Sequence, residues 1–431
     1  MRRLLLLLPL LLLACTPRDP VPVGQEGAAP PPRSGGAAPT PPPARPRLDR
    51  EPTVGVLLLD GPRVSVTLRG PGEAGGRRFP PGATAIEAAG GRIRMAGIDL
   101  GPGPVDVRIA PDANGARFAC TAVAPIAPFK REVLTLGGDL RLALHGGEVQ
   151  VIELVPLERY LAGVLTVEMS PSYPAAALQA QAIAARSYAA SRWLDRAARP
   201  WQLHWHFSRD MAYAGLGAPK REVAVREVAA TRGRILRSGG QPILALFSAA
   251  SGGRSEAAAN LFPGIAGAAT MRTVDDPASA AGARGLRLDG THLEWSARLT
   301  LAELTSALQG WSREERGRPR IGSVTAIRIG SRHGDSGRVA EVEVSHRLDG
   351  RRTTTAIPGG EFRMAVGPGE VRSTWWTRID ALRDGAQIRG RGFGHGVGLS
   401  QVGAWQMARD GRSAERIVAE YFPGAELVAA Y

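Results

Sequence analysis

EMSPSYPAAALQAQAIAARSYAA, residues 168–190, is the stretch from which the rest of this chain is read. From Ala175 onward it has the composition of a helix. Leu178, Ala182, Ala185, Ala189 and Trp193 recur at helical spacing, Ser172 is a candidate N-cap, and Pro174 falls in the first turn. An alanine-rich surface helix ordinarily spreads Lys and Glu over its wet face. This one carries Gln181 and Arg186 instead, with Glu168 in the loop just before it.

Upstream, PLERYLAGVL puts Pro156 at the start of another helix, with Leu157, Tyr160, Leu161 and Val164 on one side. Before it, from residue 51 to 131, runs such as VGVLLL, RVSVTLR and VDVRIA alternate between Gly and Pro turns, which predicts a small β-rich N-terminal domain. Downstream, at about 290–365, an inserted α+β element is expected. Thr300 and Glu303 form a capping-box pattern there, and two strand-like runs flank a Gly-Asp-Ser-Gly hairpin tip. The fold class is therefore α+β.

The first residues, MRRLLLLLPLLLLACT, place two arginines before a leucine run too short to span a bilayer comfortably. Leu12-Leu13-Ala14-Cys15 resembles a bacterial lipobox, so residues 1–15 are expected to be a lipoprotein signal peptide with Cys15 lipidated. The implied location is an exported lipoprotein, membrane-anchored and facing the cell wall, in the periplasm or on the outer membrane of a Gram-negative cell. Residues 16–50, rich in Pro, Ala and Gly, read as a disordered tether. The remaining thiol, Cys120, leaves no disulfide framework and no cysteine zinc site, and is expected to be a small buried residue. The net charge of +14 is carried almost wholly by arginine, Lys130 and Lys220 being the exceptions. Scattered arginines on an exported protein argue against a nucleic-acid partner and favour anionic cell-wall polymers.

A second unusual stretch is GRGFGHGVGLSQ, residues 390–401. Its glycines at 390, 392, 394, 396 and 398 would share one face of an extended chain, with Arg391, Phe393, His395 and Val397 on the other. It has neither the dinucleotide fingerprint nor a P-loop lysine. Ser400 is placed to cap the helix that Gly411 ends. His204 and His206 would share a strand face, but no third metal ligand is evident, so they read as histidines packed among tryptophans.

Residues 156–190 and 390–427 resemble, over their whole lengths and in the right order, the two signature regions of the SpoIID/LytB family, whose members include peptidoglycan lytic transglycosylases and amidase enhancers. The resemblance extends over about residues 135 to 427 and implies a SpoIID-like domain over 132–431. It implies that Glu168 is the catalytic acid/base and that Gln181, Arg186, Tyr213, Ser251, His395, Ser400 and Gln401 bind substrate or support the site. On that reading Gln181 and Arg186 turn inward and hydrogen-bond the loop that holds Glu168. There are departures: Pro171 comes one place late, Tyr173 replaces a usual Trp, Ala176 and Gln179 replace Glu and Lys, Met211 replaces Gln beside Asp210, and SAASGG matches only at Ser251, Gly252 and Gly253. The cysteines of the zinc-bearing members are missing, so neither a metal nor another cofactor is expected.

Glycoside hydrolysis ordinarily takes two carboxyls, and the signature stretches offer one. A lytic transglycosylase needs only one, because the muramic C6 hydroxyl of the substrate is the nucleophile. Glu168 must then start protonated, in a pocket walled by residues such as Met169, Tyr173 and Phe393. The expected partners are peptidoglycan glycan strands and, on the alternative reading of a non-catalytic glycan-binding enhancer, a cell-wall amidase. A serine or cysteine hydrolase is disfavoured, since no G-x-S-x-G elbow is found.

Overall fold

The computed structural model describes residues 48–125 and 130–431. Cys15, the leucine run and the tether as far as residue 47 lie outside them. Leu48, at the end of the expected tether, is buried against Ala190 and Ile235, so the last tether residues belong to the body.

The chain is α+β, as expected. It begins with β1 (Thr53–Gly61), β2 (Arg63–Leu68), β3 (Gly72–Ala74), β4 (Arg77–Phe79), β5 (Gly82–Ala89), β6 (Arg92–Met95), β7 (Ile98–Gly101) and β8 (Val105–Ile109). Then follow β9 (Phe118–Val123), β10 (Arg131–Leu136), β11 (Asp139–His145) and β12 (Glu148–Pro156). One sheet runs β10-β9-β2-β5-β6-β7; the other runs β1-β12-β11-β8-β3-β4, with β13 (Leu203–His204) joining at the β1 edge. The boundary expected at 131/132 is not a break. β1 pairs antiparallel with β12 from Thr53↔Pro156 to Gly61↔Val149, and a single hydrophobic core continues from Val54 and Val56 through Leu161 and Leu178. Strand pairing depends on complementary buried faces, not on nearness in sequence, so the first strand pairs with the last of these twelve.

Helices α1 (Leu157–Glu168), α2 (Ala175–Asp195) and α3 (Arg221–Ala230) follow the sheet. Every residue of α2 from Ala177 to Arg192 is buried except Gln179. This accounts for the alanines: the helix has no wet face, and small side chains let its neighbours approach from all sides. Its N-cap is Pro174, without a side-chain cap; Ser172 bonds to Ser170 instead, at 2.8 Å between hydroxyls, because Pro174 already sets the entry into the first turn.

The body continues with β14 (Arg234–Ser238), β15 (Gln241–Pro242), β16 (Phe247–Ser248), α4 (Ala258–Leu261) and α5 (Pro277–Gly285). A unit with its own core comes next: β17 (Glu294–Thr300), α6 (Leu301–Glu314), β18 (Ser323–Arg332), β19 (Val339–Leu348), β20 (Arg351–Pro358), α7 (Gly359–Val366), β21 (Trp376–Leu382) and β22 (Gly385–Arg391). It is longer than the 290–365 read from the sequence, because β22 returns to pair along the whole of β17, Glu294↔Arg391 to Thr300↔Gly385. The capping box of Thr300 and Glu303 is present. The body closes with β23 (Leu399–Ser400), α8 (Gln401–Arg409), α9 (Ala414–Tyr421) and β24 (Glu426–Ala429).

Candidate active site

Glu168 is the last residue of α1, not a loop residue, and the chain leaves the helix at Met169 in an extended conformation. Its carboxyl is fully buried. Oε1 accepts one hydrogen bond from the Ala212 N–H at 2.6 Å, and Oε2 makes none. Burial pushes its pKa up to about 8 against the weaker downward pulls of the Ala212 N–H and the Gln401 side chain. The carbonyl end of the helix dipole also disfavours a carboxylate. At neutral pH this group therefore holds its proton.

The donor at Ala212 is fixed from both sides. On one side Asp210, 1% exposed, accepts from the Tyr188 hydroxyl (2.8 Å), Arg196 Nη1 (3.0 Å) and the His204 N–H (2.9 Å). On the other, the Tyr213 hydroxyl donates to buried Glu153 Oε2 at 2.8 Å, and its ring lies 4.8 Å from that of Tyr160. A Cβ at Gly163 of α1 would collide with that ring, so this glycine lets the Tyr213 loop sit directly on the helix that ends in Glu168. Tyr213 is thus placed two steps from the carboxyl as a support. His204 Nδ1 accepts the His206 N–H and His206 Nδ1 meets the Ser208 hydroxyl, while burial lowers the two rings to about 3 and 4. They are packed neutral histidines.

The second signature stretch approaches through a short parallel pairing, Phe247↔Leu399 and Ser248↔Ser400. Ser400 caps α8 as expected: its Oγ accepts the Gly403 N–H at 3.3 Å, accepts that of Ser251 at 3.3 Å, and donates to Ser279 Oγ at 3.1 Å. Ser251 Oγ donates to Asp276 Oδ2 at 2.7 Å, and Asp276 Oδ1 accepts from the Ser279 N–H and the Tyr421 hydroxyl. Ser251 and Ser400 therefore form one buried network that fixes the start of α8. Gln401, the next residue, is 1% exposed and acts on the Glu168 carboxyl.

The glycine alternation works differently from expectation. Gly392, Gly394, Gly396 and Gly398 all have positive φ, from 69° to 106°, so the chain coils here and does not run as a strand with one bare face. The bare positions serve close approach: a Cβ at Gly396 would run into the Arg338 guanidinium, and one at Gly398 into the Leu246 carbonyl. His395 and Phe393 consequently part company. His395, 3% exposed, accepts the Val397 N–H at Nδ1 (3.0 Å) and meets Phe262 edge-on at 5.5 Å, whereas Phe393 packs on His292 and lies under Arg372.

Two readings of α2 are corrected. Arg186 does not reach the segment around Glu168: its guanidinium clasps Glu158 through Nε and Nη2, both at 2.8 Å, and also donates to the Val228 and Arg234 carbonyls. Glu158 lies in the first turn of α1, where a carboxylate is favoured, and so captures the buried cation. Gln181 is fully buried and neither atom of its amide has a hydrogen-bond partner.

Several residues that organise the site escaped the sequence reading. Asp276 had a legible signal, an Asp directly before Pro277 at a helix start, and it does cap α5. Arg338 had none. It is fully buried, donates to the Ser251 and Arg254 carbonyls at 2.6 and 3.1 Å, and ties the β18–β19 tip under the glycine loop; beside it Ser336 donates to Glu256 Oε2 at 2.7 Å.

Residues 145–237 match the family described as SpoIID, Stage II sporulation protein, and residues 287–398 match a domain of unknown function, DUF8618. The second range takes in the whole unit from β17 to β22. The chain is 29% identical to an uncharacterized protein of Brachyspira hyodysenteriae over 68% of its own length and 72% of that protein. It is 24% identical to a Stage II sporulation protein D of Bacillus subtilis, over 64% of this chain and 76% of that one. To an amidase enhancer of Bacillus subtilis it is 25% identical, over 62% of this chain and 40% of the relative. Both signature stretches fold around one buried glutamate, residues 145–237 match the SpoIID family model, and the chain is similar to relatives of both kinds, a sporulation protein and an amidase enhancer.

Proposed function

We propose that this protein is a peptidoglycan lytic transglycosylase, cleaving the MurNAc–GlcNAc glycan backbone with Glu168 as its one acid/base. The observation that carries the reading is the carboxyl itself: buried, with a single backbone donor and a pKa of about 8, it holds a proton for the leaving oxygen at neutral pH. The steps balance with one group. Glu168 donates its proton to the bridging oxygen as the bond from muramic C1 breaks. The C6 hydroxyl of the same sugar then bonds to C1 and returns its proton to Glu168, leaving a 1,6-anhydro end and the acid restored. Met169 and Tyr173, at 1% and 6% exposure, belong to the apolar core at this end of α1, of the kind that keeps a carboxyl neutral, whereas Phe393 packs in a separate cluster with Ala249, Ala250 and Val402.

The names of the relatives, a sporulation protein and an amidase enhancer, favour a role at the cell wall. A lipid on Cys15 would hold the body within reach of it, membrane-anchored and outside the cytoplasm. The test is the product. An anhydro end is about 18 Da lighter than a hydrolytic one and takes up no ¹⁸O from labelled water. New ends that carry ¹⁸O and reduce with borohydride would make the enzyme a hydrolase.

One observation favours a second reading. Glu168 and Gln401 are 0% and 1% exposed, and Met211 stands where the family has Gln, so the site is closed and altered. On that reading the protein grips glycan and stimulates a cell-wall amidase without cutting. Faster release of stem peptides by a partner amidase, with no new glycan ends, is its signature.

A further inference from the structure

The 203–213 segment that holds Glu168 has a second side. Asp210, two residues before Ala212, lines a cleft of about 1330 Å³ between the outward face of β2, β9 and β10 and the turn that follows α2. Glu168 is not among its walls. The cleft arises from strand alternation: Val66 and Leu68 of β2 turn into the core, so Ser65 and Thr67 turn out, and with them Arg63 and Arg69 at the two ends. Across the sheet Val133 pairs with Thr121, and Arg131 with Val123.

Three properties of this face are unlike an idle surface. Val133 and Val123 are 71% and 50% exposed, two of the four large hydrophobic residues that stand exposed among the described residues. Six arginines line the cleft against the carboxylates of Asp60 and Asp210, and Asp210 is already engaged by buried Arg192 and Arg196. Half-buried Trp201 sits on the facing wall with the guanidinium carbons of Arg196 and Arg199 at 5.5 and 5.9 Å from its ring centre. Like charges gathered in a concave wall repel one another and focus a positive potential, an arrangement that an anionic ligand relieves.

We infer that this cleft is a second, non-catalytic binding site for an acidic glycan strand. Arg69, Arg131 and Arg209 take its carboxylates through charge-assisted hydrogen bonds, Trp201 takes a sugar face, and the two valines take methyl groups of its substituents. A neutral saccharide would leave the arginine excess unanswered, and a bare polyanion would leave the tryptophan and the valines unused. Choosing a glycan as the ligand rests on the proposed function, and the cleft would then hold the strand one loop away from the carboxyl that cuts it.

The experiment uses the Glu168→Gln protein, whose expected turnover is too slow to consume its ligand, and measures binding directly by calorimetry. The probe is a stem-free peptidoglycan glycan oligomer with its lactyl carboxylates intact; the control is the same oligomer with those groups converted to methylamides. Replacing Arg69, Arg131 and Arg209 together by Gln, all exposed positions, should leave the circular dichroism unchanged. It should weaken binding about tenfold and flatten its salt dependence, and the amidated oligomer should lose about as much on the parent. Trp201→Ala should cost several-fold more. Undiminished binding by the triple variant, or equal binding of the amidated oligomer, overturns the inference. So does a linear polyphosphate that binds as tightly and is indifferent to Trp201→Ala. Cleft binding that survives while no anhydro ends are ever formed sinks the proposed catalysis and leaves the cleft standing.

Discussion

Helix α1 carries a carboxyl at each end, Glu158 largely and Glu168 wholly withdrawn from water, about 15 Å apart, and the two are treated in opposite ways. Burial raises Glu158, but the Arg186 clasp, the Tyr431 hydroxyl at 2.6 Å and the Gly233 N–H outweigh it and hold the group below its ordinary range. Glu168 has one backbone N–H on one oxygen, the wrong end of the helix dipole, and burial that the Ala212 N–H and the Gln401 side chain only partly offset. A carboxyl supplied with every partner is a charged strut. One deprived of partners is a proton donor, and the body bears the cost of keeping it dry.

The largest break of this contrast is Glu168→Gln, which keeps the shape and removes the proton. Glycan cleavage should fall by on the order of 10² to 10⁴, with the fold intact by circular dichroism. In the unmodified protein the rate should decline as pH rises through about 8, because the acid must begin protonated. Next in size is Glu158→Gln. It strands the Arg186 guanidinium, 0% exposed, without a counter-charge, and should cost about 3–5 kcal/mol in urea denaturation while the remaining folded protein still cuts glycan.

A comparable effect has the opposite sign. A carboxyl raised from about 4.3 to about 8 on folding means that between those pH values the native state keeps a proton the unfolded chain has released, so stability falls as pH rises across that window. Glu168→Gln removes the burden. The variant should equal the parent near pH 4 and exceed it by on the order of 4 kcal/mol at pH 7.5. For Glu158, held low, the stabilisation is present at neutral pH and lost as pH falls through its depressed value. A Glu168→Gln protein no more stable than its parent at pH 7.5 would mean that the site is wetter than the structure has it. The smallest pair separates caps: Ser400→Ala should cost about 1 kcal/mol, and Ser172→Ala, which caps nothing, should stay within about 0.5 kcal/mol.

Local chemistry was legible in the sequence, and partners distant along the chain were not. The helix start at Pro156, the Thr300–Glu303 box and the Ser400 cap depend on residues within a few positions of one another, and each is where the pattern puts it, whereas α2 starts after Pro174 and not after a Ser172 cap. Arg186 shows the limit. Its type announces a buried cation in an alanine helix, but its partner lies 28 residues upstream, and only the packing of α1 against α2 selects Glu158 over Glu168. The glycine loop misled for a related reason, since period-two spacing fits both a bare strand face and a chain with alternate left-handed turns. Arg338, 87 residues from the Ser251 carbonyl it binds, has nothing in its neighbourhood to mark it.

The alanines of α2 act as a gauge. The helix packs against α1, which ends in Glu168, and against α8, which begins with Gln401, so its side-chain thickness sets how far apart those two ends stand. Each methyl group is a shim of fixed size, and a fully enclosed helix has no outer surface on which a larger one could be taken up. The tolerance of the proton donor is thus machined into a run of the plainest side chains in the protein, none of which touches chemistry at all.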